Sequence, residues 1–372
     1  MGEFIVPKNK EVDERIKKDL SIIKDVLLDK YGSNVRSIIL CGGFGRGEGG
    51  YVKYKKKFKP LNDYDLLIVT RRRISKKYLS ELSKELASNV EVRFVDLGSV
   101  KYSKIKKLDK KIFSYDLKKS RVIYGDKTIL DKITDFPARS IPLQEAKNML
   151  LNRLICFFEL TPNGFLTDKS FKKKNYNLFI LQVSKAVIAA TIALLVDEGK
   201  YISSYKKQAE ISKNLDIPKE FHETISFSYG LRLGETEPHQ INPQSYWFKA
   251  RTFFLYSFEQ IFLKENSWDN FITIHHKATF SLKEIITKVK DIIRFLIYRE
   301  RSLNMQNKRV LESSCILSLL SVSQDLSLNK WYLDLVKTRL SKQFDLKADS
   351  LSNWDNIKNT ISLLWEEYHH VK

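Results

Sequence analysis

The stretch Cys41-Gly42-Gly43-Phe44-Gly45-Arg46-Gly47-Glu48-Gly49-Gly50 decides how the chain is read, together with Pro60-Leu61-Asn62-Asp63-Tyr64-Asp65-Leu66-Leu67-Ile68-Val69, which follows a basic insert at 51–59. In an extended strand alternate side chains share a face, so Asp63 and Asp65 point one way and Tyr64 and Leu66 the other. Two carboxylates that close repel, and one is driven toward its protonated form unless a cation lies between them. Paired carboxylates with no Cys or His beside them suit Mg²⁺, which takes a few protein oxygens and completes its shell with phosphate and water. The apolar run after Asp65 fixes both acids in a sheet. The glycines ahead of them let backbone approach a ligand closely, and successive N–H groups can form an anion nest. A dinucleotide fingerprint is disfavoured, because no convincing helix follows Gly43, Gly45 and Gly47 and the segment runs instead into lysines at 53–59. A Walker loop would end in Gly-Lys-Ser or Gly-Lys-Thr, and none occurs. The bland alternative is a tight turn beside two surface aspartates.

Outward from this stretch the chain changes character. Seven of the 14 glycines fall between residues 32 and 50, whereas no glycine follows Gly234 and no proline follows Pro243. A long tail without either breaker, with apolar residues recurring at three and four, reads as helices. Before it, an amphipathic helix is expected at 11–30 (Ile16, Leu20, Ile23, Val26, Leu27), strands at 37–41, 66–69 and 90–95, and a helix at 75–87. The expected fold class is α+β: a mixed-sheet domain followed by a large all-helical region. The domains are set at 1–140, 141–234 and 235–372.

Strand, Gly-Gly, a short spacer and Asp-x-Asp leading into an apolar strand resembles the nucleotidyltransferase fold of the DNA polymerase beta superfamily. Within it, Gly42-Gly43-Phe44-Gly45-Arg46-Gly47-Glu48 with Pro60, Asn62, Asp63 and Asp65 is similar to the catalytic signature of PII uridylyltransferases, with the insert at 51–59 lengthening the spacer. Neither a His-Asp metal motif nor a regulatory repeat of those enzymes is present, so the resemblance covers the catalytic core alone and carries no protein substrate. It implies a third carboxylate on the next strand. Glu91 and Asp96 both qualify by position and have opposite parity; the pattern of small-molecule nucleotidyltransferases favours Glu91, with Asp96 the runner-up. The resemblance further implies two Mg²⁺ ions held by Asp63, Asp65 and Glu91, a nucleoside triphosphate bounded by Gly42 and Gly43, and Glu91 or its rival drawing the proton from an acceptor hydroxyl. Arg46 is either a bidentate contact to the triphosphate or a solvated loop charge.

The segment 116–126, with its Tyr124-Gly125 turn, resembles the close of the catalytic domain in aminoglycoside-type nucleotidyltransferases. Helices are expected next at 143–160 and 175–198, followed by Gly-x-Tyr and Ser-x-Tyr-Lys, similar to the helical domain of kanamycin nucleotidyltransferase relatives. Lys185 has an apolar helical neighbourhood (Leu178, Leu181, Ile188, Ala189, Ile192), so its ammonium should meet an anion. The resemblance makes that anion the triphosphate; a snorkelling lysine or a structural ion pair is the alternative. Tyr201, Ser204 and Tyr205 as nucleotide contacts compete with the simpler reading that they end and cap helices. Trp247, Trp268, Trp331, Trp354 and Trp365 read as core, and His275, His276, His369 and His370 as surface.

Composition bounds the rest. Lys and Arg number 65 against 44 Asp and Glu, a formal charge of +21, and 43% of residues are hydrophobic. A foldable core and a polyanionic partner follow. About two-thirds of the positive excess lies in residues 1–140. Three scattered cysteines, Cys41, Cys156 and Cys315, make neither a disulfide framework nor a zinc site. With no secretory signal, a reducing cytoplasm is expected. The apolar run at 178–196 has the length of a membrane span, but Gln182, Ser184, Lys185 and Thr191 within it favour burial in protein, so no membrane partner is expected. The expected activity is Mg²⁺-dependent transfer of a nucleoside monophosphate from an NTP to an acceptor hydroxyl. A small molecule is the favoured acceptor, an RNA such as a tRNA 3′ end the alternative, and an inactive nucleotide- or RNA-binding module the reading of a different class.

Overall fold

A computed structural model describes residues 3–54, 57–60, 63–92, 94–166, 176–263, 305–323 and 327–369. Among the residues named above, Leu61, Asn62, Trp268, His275, His276 and His370 lie outside the described residues, as does the side chain of His369. The chain divides into two compact units, Met1–Ala146 with Leu195–Glu237, and Lys147–Leu194 with Pro238–Lys372.

In the first unit, α1 (Lys10–Tyr31) starts where the Asn9 side chain accepts from the Val12 amide, a standard N-cap. It leads into β1 (Val35–Leu40), the one-turn helix α2 (Gly42–Gly45), a hairpin of β2 (Tyr51–Tyr54) and β3 (Lys57–Pro60), β4 (Tyr64–Thr70), α3 (Lys76–Asn89), β5 (Val95–Lys101), α4 (Ile112–Leu117) and β6 (Arg121–Gly125). Four strands form a mixed sheet in the order β5-β4-β1-β6, with β4 parallel to β5 and antiparallel to β1. Alternation splits β4 between two cores. Tyr64, Leu66 and Ile68 pack with Ile16, Leu20, Ile23 and Leu27 of α1 and with Leu79, Leu82 and Leu86 of α3. Leu67 and Val69 lie on the other side with Ile39, Cys41, Ile105 and Leu117.

The α+β architecture is the one expected, and so are the first helix and the strands around Ile38 and Ile68. The strand expected at 90–95 is not there. Val90 is instead the buried C-cap of α3, its carbonyl accepting from Arg15, and the strand begins at Val95. The apolar alternation of Val90, Val92 and Phe94 misleads because Phe94 is left half-exposed on a connection, whereas β5 itself carries Gly98 and Ser99. The basic insert forms the β2–β3 hairpin, pairing Tyr51 with Pro60, so it returns the chain to Asp63 almost where it left. The Tyr124-Gly125 turn closes β6, with Gly125 at φ +86° against the Arg36 carbonyl.

The sheet unit is completed by α7 (Tyr205–Ser212) and α8 (Lys219–Leu233), counted after α5 (Leu143–Arg153) and α6 (Asn177–Asp197). The expected middle domain at 141–234 is therefore divided, its last part belonging with the glycine turn for reasons given below.

The second unit is helical in its described residues: most of α5 and α6, then α9 (Pro243–Phe262), α10 (Met305–Leu320), α11 (Lys330–Phe344) and α12 (Trp354–His369). Trp247 meets Phe157, Phe165 and Trp354 ring to ring. Trp247, Trp354 and Trp365 are core as expected, but Trp331, on the first turn of α11, is 56% exposed. Helix α6 is long and apolar enough to cross a membrane, with a mean hydropathy of 2.1, yet 89% of that window is buried inside the protein. Its polar groups are satisfied there, Gln182 by Glu159 and Thr191 by the Val187 carbonyl. It is a helix buried in protein, as its polar residues imply.

Candidate functional site

The paired acids sit where the sheet meets the glycine turn. In the parallel pairing of β4 with β5, Asp65 stands directly opposite Asp96. Side chains at matched positions of parallel neighbours project from the same face, so the two carboxyls leave the sheet together, on the side of Leu67 and Val69. Asp63, two residues before Asp65 in extended chain, joins them electrostatically. Burial first, then the charges of Asp96 and Asp63, push the Asp65 carboxyl up to about 6, while the guanidinium groups of Arg232 and Arg46 pull it back. A cluster of acids in which one is held partly protonated at neutral pH is what a divalent cation would relieve.

The acid that the sheet brings beside Asp65 is Asp96, the runner-up, and not Glu91. Glu91 lies in the turn after α3, exposed and at φ +52°, four residues ahead of β5. The strand starts at Val95, which leaves Glu91 on the connection. Glu91 and Asp96 have opposite parity, and the register that selects between them, Asp65 against Asp96, is not written in the strand's own sequence.

The glycines meet their expected need at two positions. Gly42, at φ +61°, lies so close to Asp65 that any side chain would collide with the carboxylate Oδ2. The Cys41 amide donates to the Asp65 carbonyl at 2.7 Å, which sews the turn to the acid-bearing strand. Gly43 lies against a different group, the guanidinium of Arg232 on α8, whose Nη2 is 2.5 Å from where a Cβ would be. As at any helix start, the leading amides of α2 are not consumed by backbone bonds.

Arg46 is neither a solvated charge nor a free phosphate ligand. Its side chain is 7% exposed, with Nη1 donating to Asp116 Oδ2 at 3.2 Å and Nε 3.7 Å from Glu48 Oε2. Tyr201, the expected nucleotide contact, is also committed to structure: it is buried, and its hydroxyl donates to Asp116 Oδ1 at 2.8 Å. Ser204 caps α7 as the simpler reading had it. Its hydroxyl and the amides of Tyr205 and Lys206 all donate to the buried carboxylate of Glu48, at 2.7, 2.9 and 3.3 Å. A carboxylate over the first amides of a helix is favoured by hydrogen bonding and by the helix dipole. Glu48 and Arg46 thus bind the glycine turn to residues 201–206, which is why α7 and α8 belong with the sheet. Lys185 lies in the second unit, exposed on α6.

Among the described residues no group of three or more His, Cys, Asp or Glu side chains stands ready-made to hold a metal ion. Mg²⁺ demands less, since one or two carboxylates suffice when phosphate and water complete its shell. Asp65 with Asp96, flanked by Asp63 and by a turn too tight for any side chain, fits that requirement. Sequence reasoning missed Arg232: a lone arginine in the last turn of a helix has an ordinary reading as a dipole partner. Comparison with known families finds no family model that matches the chain, and comparison with curated proteins finds no match.

Proposed function

We propose that the sheet unit is a Mg²⁺-dependent nucleotidyltransferase, moving a nucleoside monophosphate from an NTP to an acceptor hydroxyl with release of pyrophosphate. The observation that carries this reading is the opposition of Asp65 and Asp96 across a parallel strand pair, beside a turn where Gly42 abuts the Asp65 carboxylate. Asp65 and Asp96, with Asp63, would hold the cation. Bound there, Mg²⁺ supplies charge neutralisation to the triphosphate and to the departing pyrophosphate. Asp96, which is exposed on the edge strand β5, would take the acceptor hydroxyl's proton. Gly42 and Gly43 let the triphosphate lie against backbone.

The acceptor is read as a small molecule and the compartment as the cytoplasm, where NTP and Mg²⁺ are abundant. An RNA acceptor draws support from the basic sheet unit. Its lysines are partly spoken for, however: Lys106, Lys118 and Lys132 line a cleft that also holds Asp131 and Asp135, with Lys118 2.7 Å from Asp135 and Lys132 3.4 Å from Asp126.

The test is incubation with each labelled NTP, Mg²⁺ and a cell extract, asking which fraction, RNA, protein or metabolite, takes up label. Asp63→Asn with Asp65→Asn should abolish transfer. Asp96→Asn should lose about 100-fold or more, while Glu91→Gln stays within about twofold of wild type. Undiminished labelling by the double variant would remove the catalytic assignment; binding without any pyrophosphate release would favour the inactive module.

A further inference from the structure

Two arginines approach the glycine turn, and they differ in what they are already doing. The charge of Arg46 is taken up by Asp116 and Glu48. Arg232 makes no hydrogen bond or ion pair among the described residues, though its charge acts on Asp65, and its Nε, like that of Arg46, is buried without an acceptor. It is held instead by packing: its guanidinium lies 4.7 Å from the centre of the Tyr205 ring, a ring that Arg46 also faces at 5.1 Å. Tyr205 is itself fixed through its amide on Glu48. The guanidinium is therefore aimed by its neighbours with its buried Nε lacking an acceptor, a cost that a bound anion would relieve.

Where it is aimed matters. A Cβ at Gly43 would meet Arg232 Nη2, and one at Gly42 would meet Asp65 Oδ2. Consecutive Cα atoms are about 3.8 Å apart, so a carboxylate and a guanidinium flank one two-residue piece of backbone. An anion lying along that backbone would have a cation-binding acid at one end and an arginine fork at the other. Successive phosphoryl groups match that spacing, and a planar guanidinium binds two phosphate oxygens at once.

We propose that Arg232, reaching Gly43 from the last turn of α8, is the polyphosphate-binding arginine of this site. The inference rests on the nucleotidyltransferase reading and deepens it, assigning to α8 the phosphate role that the sequence pattern offered to Arg46.

The test uses the full chain and calorimetric titration with inorganic tripolyphosphate in the presence of Mg²⁺. Wild type should bind, and Asp65→Asn should bind weakly. Arg232→Gln should weaken tripolyphosphate binding about 10- to 100-fold, as expected for losing charge-assisted hydrogen bonds, and Arg232→Lys should recover part of the loss. The exposed Lys84→Gln on α3 should bind as wild type. Mg²⁺ titrated alone separates this role from a structural counter-charge for Asp65. Arg232→Gln should take up Mg²⁺ at least as tightly as wild type, because a repelling cation is gone, while losing tripolyphosphate. If it keeps wild-type tripolyphosphate affinity while Asp65→Asn does not, Arg232 is not the contact and the nucleotide site stands. Loss of both ligands by Arg232→Gln and Arg232→Lys alike makes the residue structural. If wild type itself binds no tripolyphosphate, the nucleotide reading fails and the inference falls with it.

Discussion

Asp65 illustrates the tension that clustered, buried acids impose on their own fold. Its carboxyl titrates near 6, above the ordinary carboxylate range, because burial and the charges of Asp96 and Asp63 oppose ionisation. The folded state therefore holds the Asp65 proton more tightly than the unfolded chain does. Stability from this residue is full below about pH 4 and is lost as pH rises toward 6. Replacing it by Asn, with no divalent cation present, should stabilise the protein at pH 7 by on the order of 2 kcal/mol, and that advantage should vanish below about pH 4. Denaturant titrations at both pH values measure it. Adding Mg²⁺ should stabilise wild type and leave the Asn variant unmoved; equal stability of the two proteins at pH 7 would mean that the acids do not strain one another.

Among elements, the short α2 turn carries more than its length implies. Phe44 anchors it, buried and 5.4 Å ring to ring from Tyr64, whose hydroxyl in turn donates to Asp19 of α1. Glu48 anchors it again by capping α7. Glu48→Ala would leave the Ser204 hydroxyl and two amides without their acceptor and Arg46 without one of its two ion-pair partners. A loss of about 2–3 kcal/mol in urea unfolding is expected, with α7 the element that frays. A change below about 0.5 kcal/mol would show that Glu48 is dispensable to the turn. The helix α1 and strands β1 and β4 were legible because each has a strong period: three-to-four spacing from Ile16 to Leu27, and apolar runs through Ile38 and Ile68. Strand β5 was not, since Gly98 and Ser99 dilute it and the better-looking pattern lies just upstream. The roles of Arg46 and Arg232 were illegible for another reason. Which arginine is paired and which is spare depends on Asp116, Glu48 and Tyr205, up to 184 positions from the residue in question.

At the scale of the whole molecule, charge decides between acceptors. An RNA tracked by phosphate contacts would make turnover fall steeply with salt, with a logarithmic slope near the number of contacts, whereas a small acceptor would leave a shallow dependence set by the triphosphate alone. Given the lysine–aspartate pairing around 118–135, the shallow dependence is expected; kcat/KM measured from about 50 to 200 mM salt reads it directly. The fold class was legible from the distribution of glycine and proline, but the division into units was not, because the contacts that bring α7 and α8 to the sheet are made by side chains at 46, 48 and 116. That discontinuity has a consequence for biosynthesis. Residues 1–146 leave the ribosome without Ser204, Tyr205 or Arg232, and the helices of 147–194 must be made before those partners exist. Until residues 204–206 and then α8 emerge, Glu48 is a charge without its hydrogen-bond donors in an unfinished domain, so translation of this chain should be followed by a late, cooperative closure rather than by N-terminal folding as it appears.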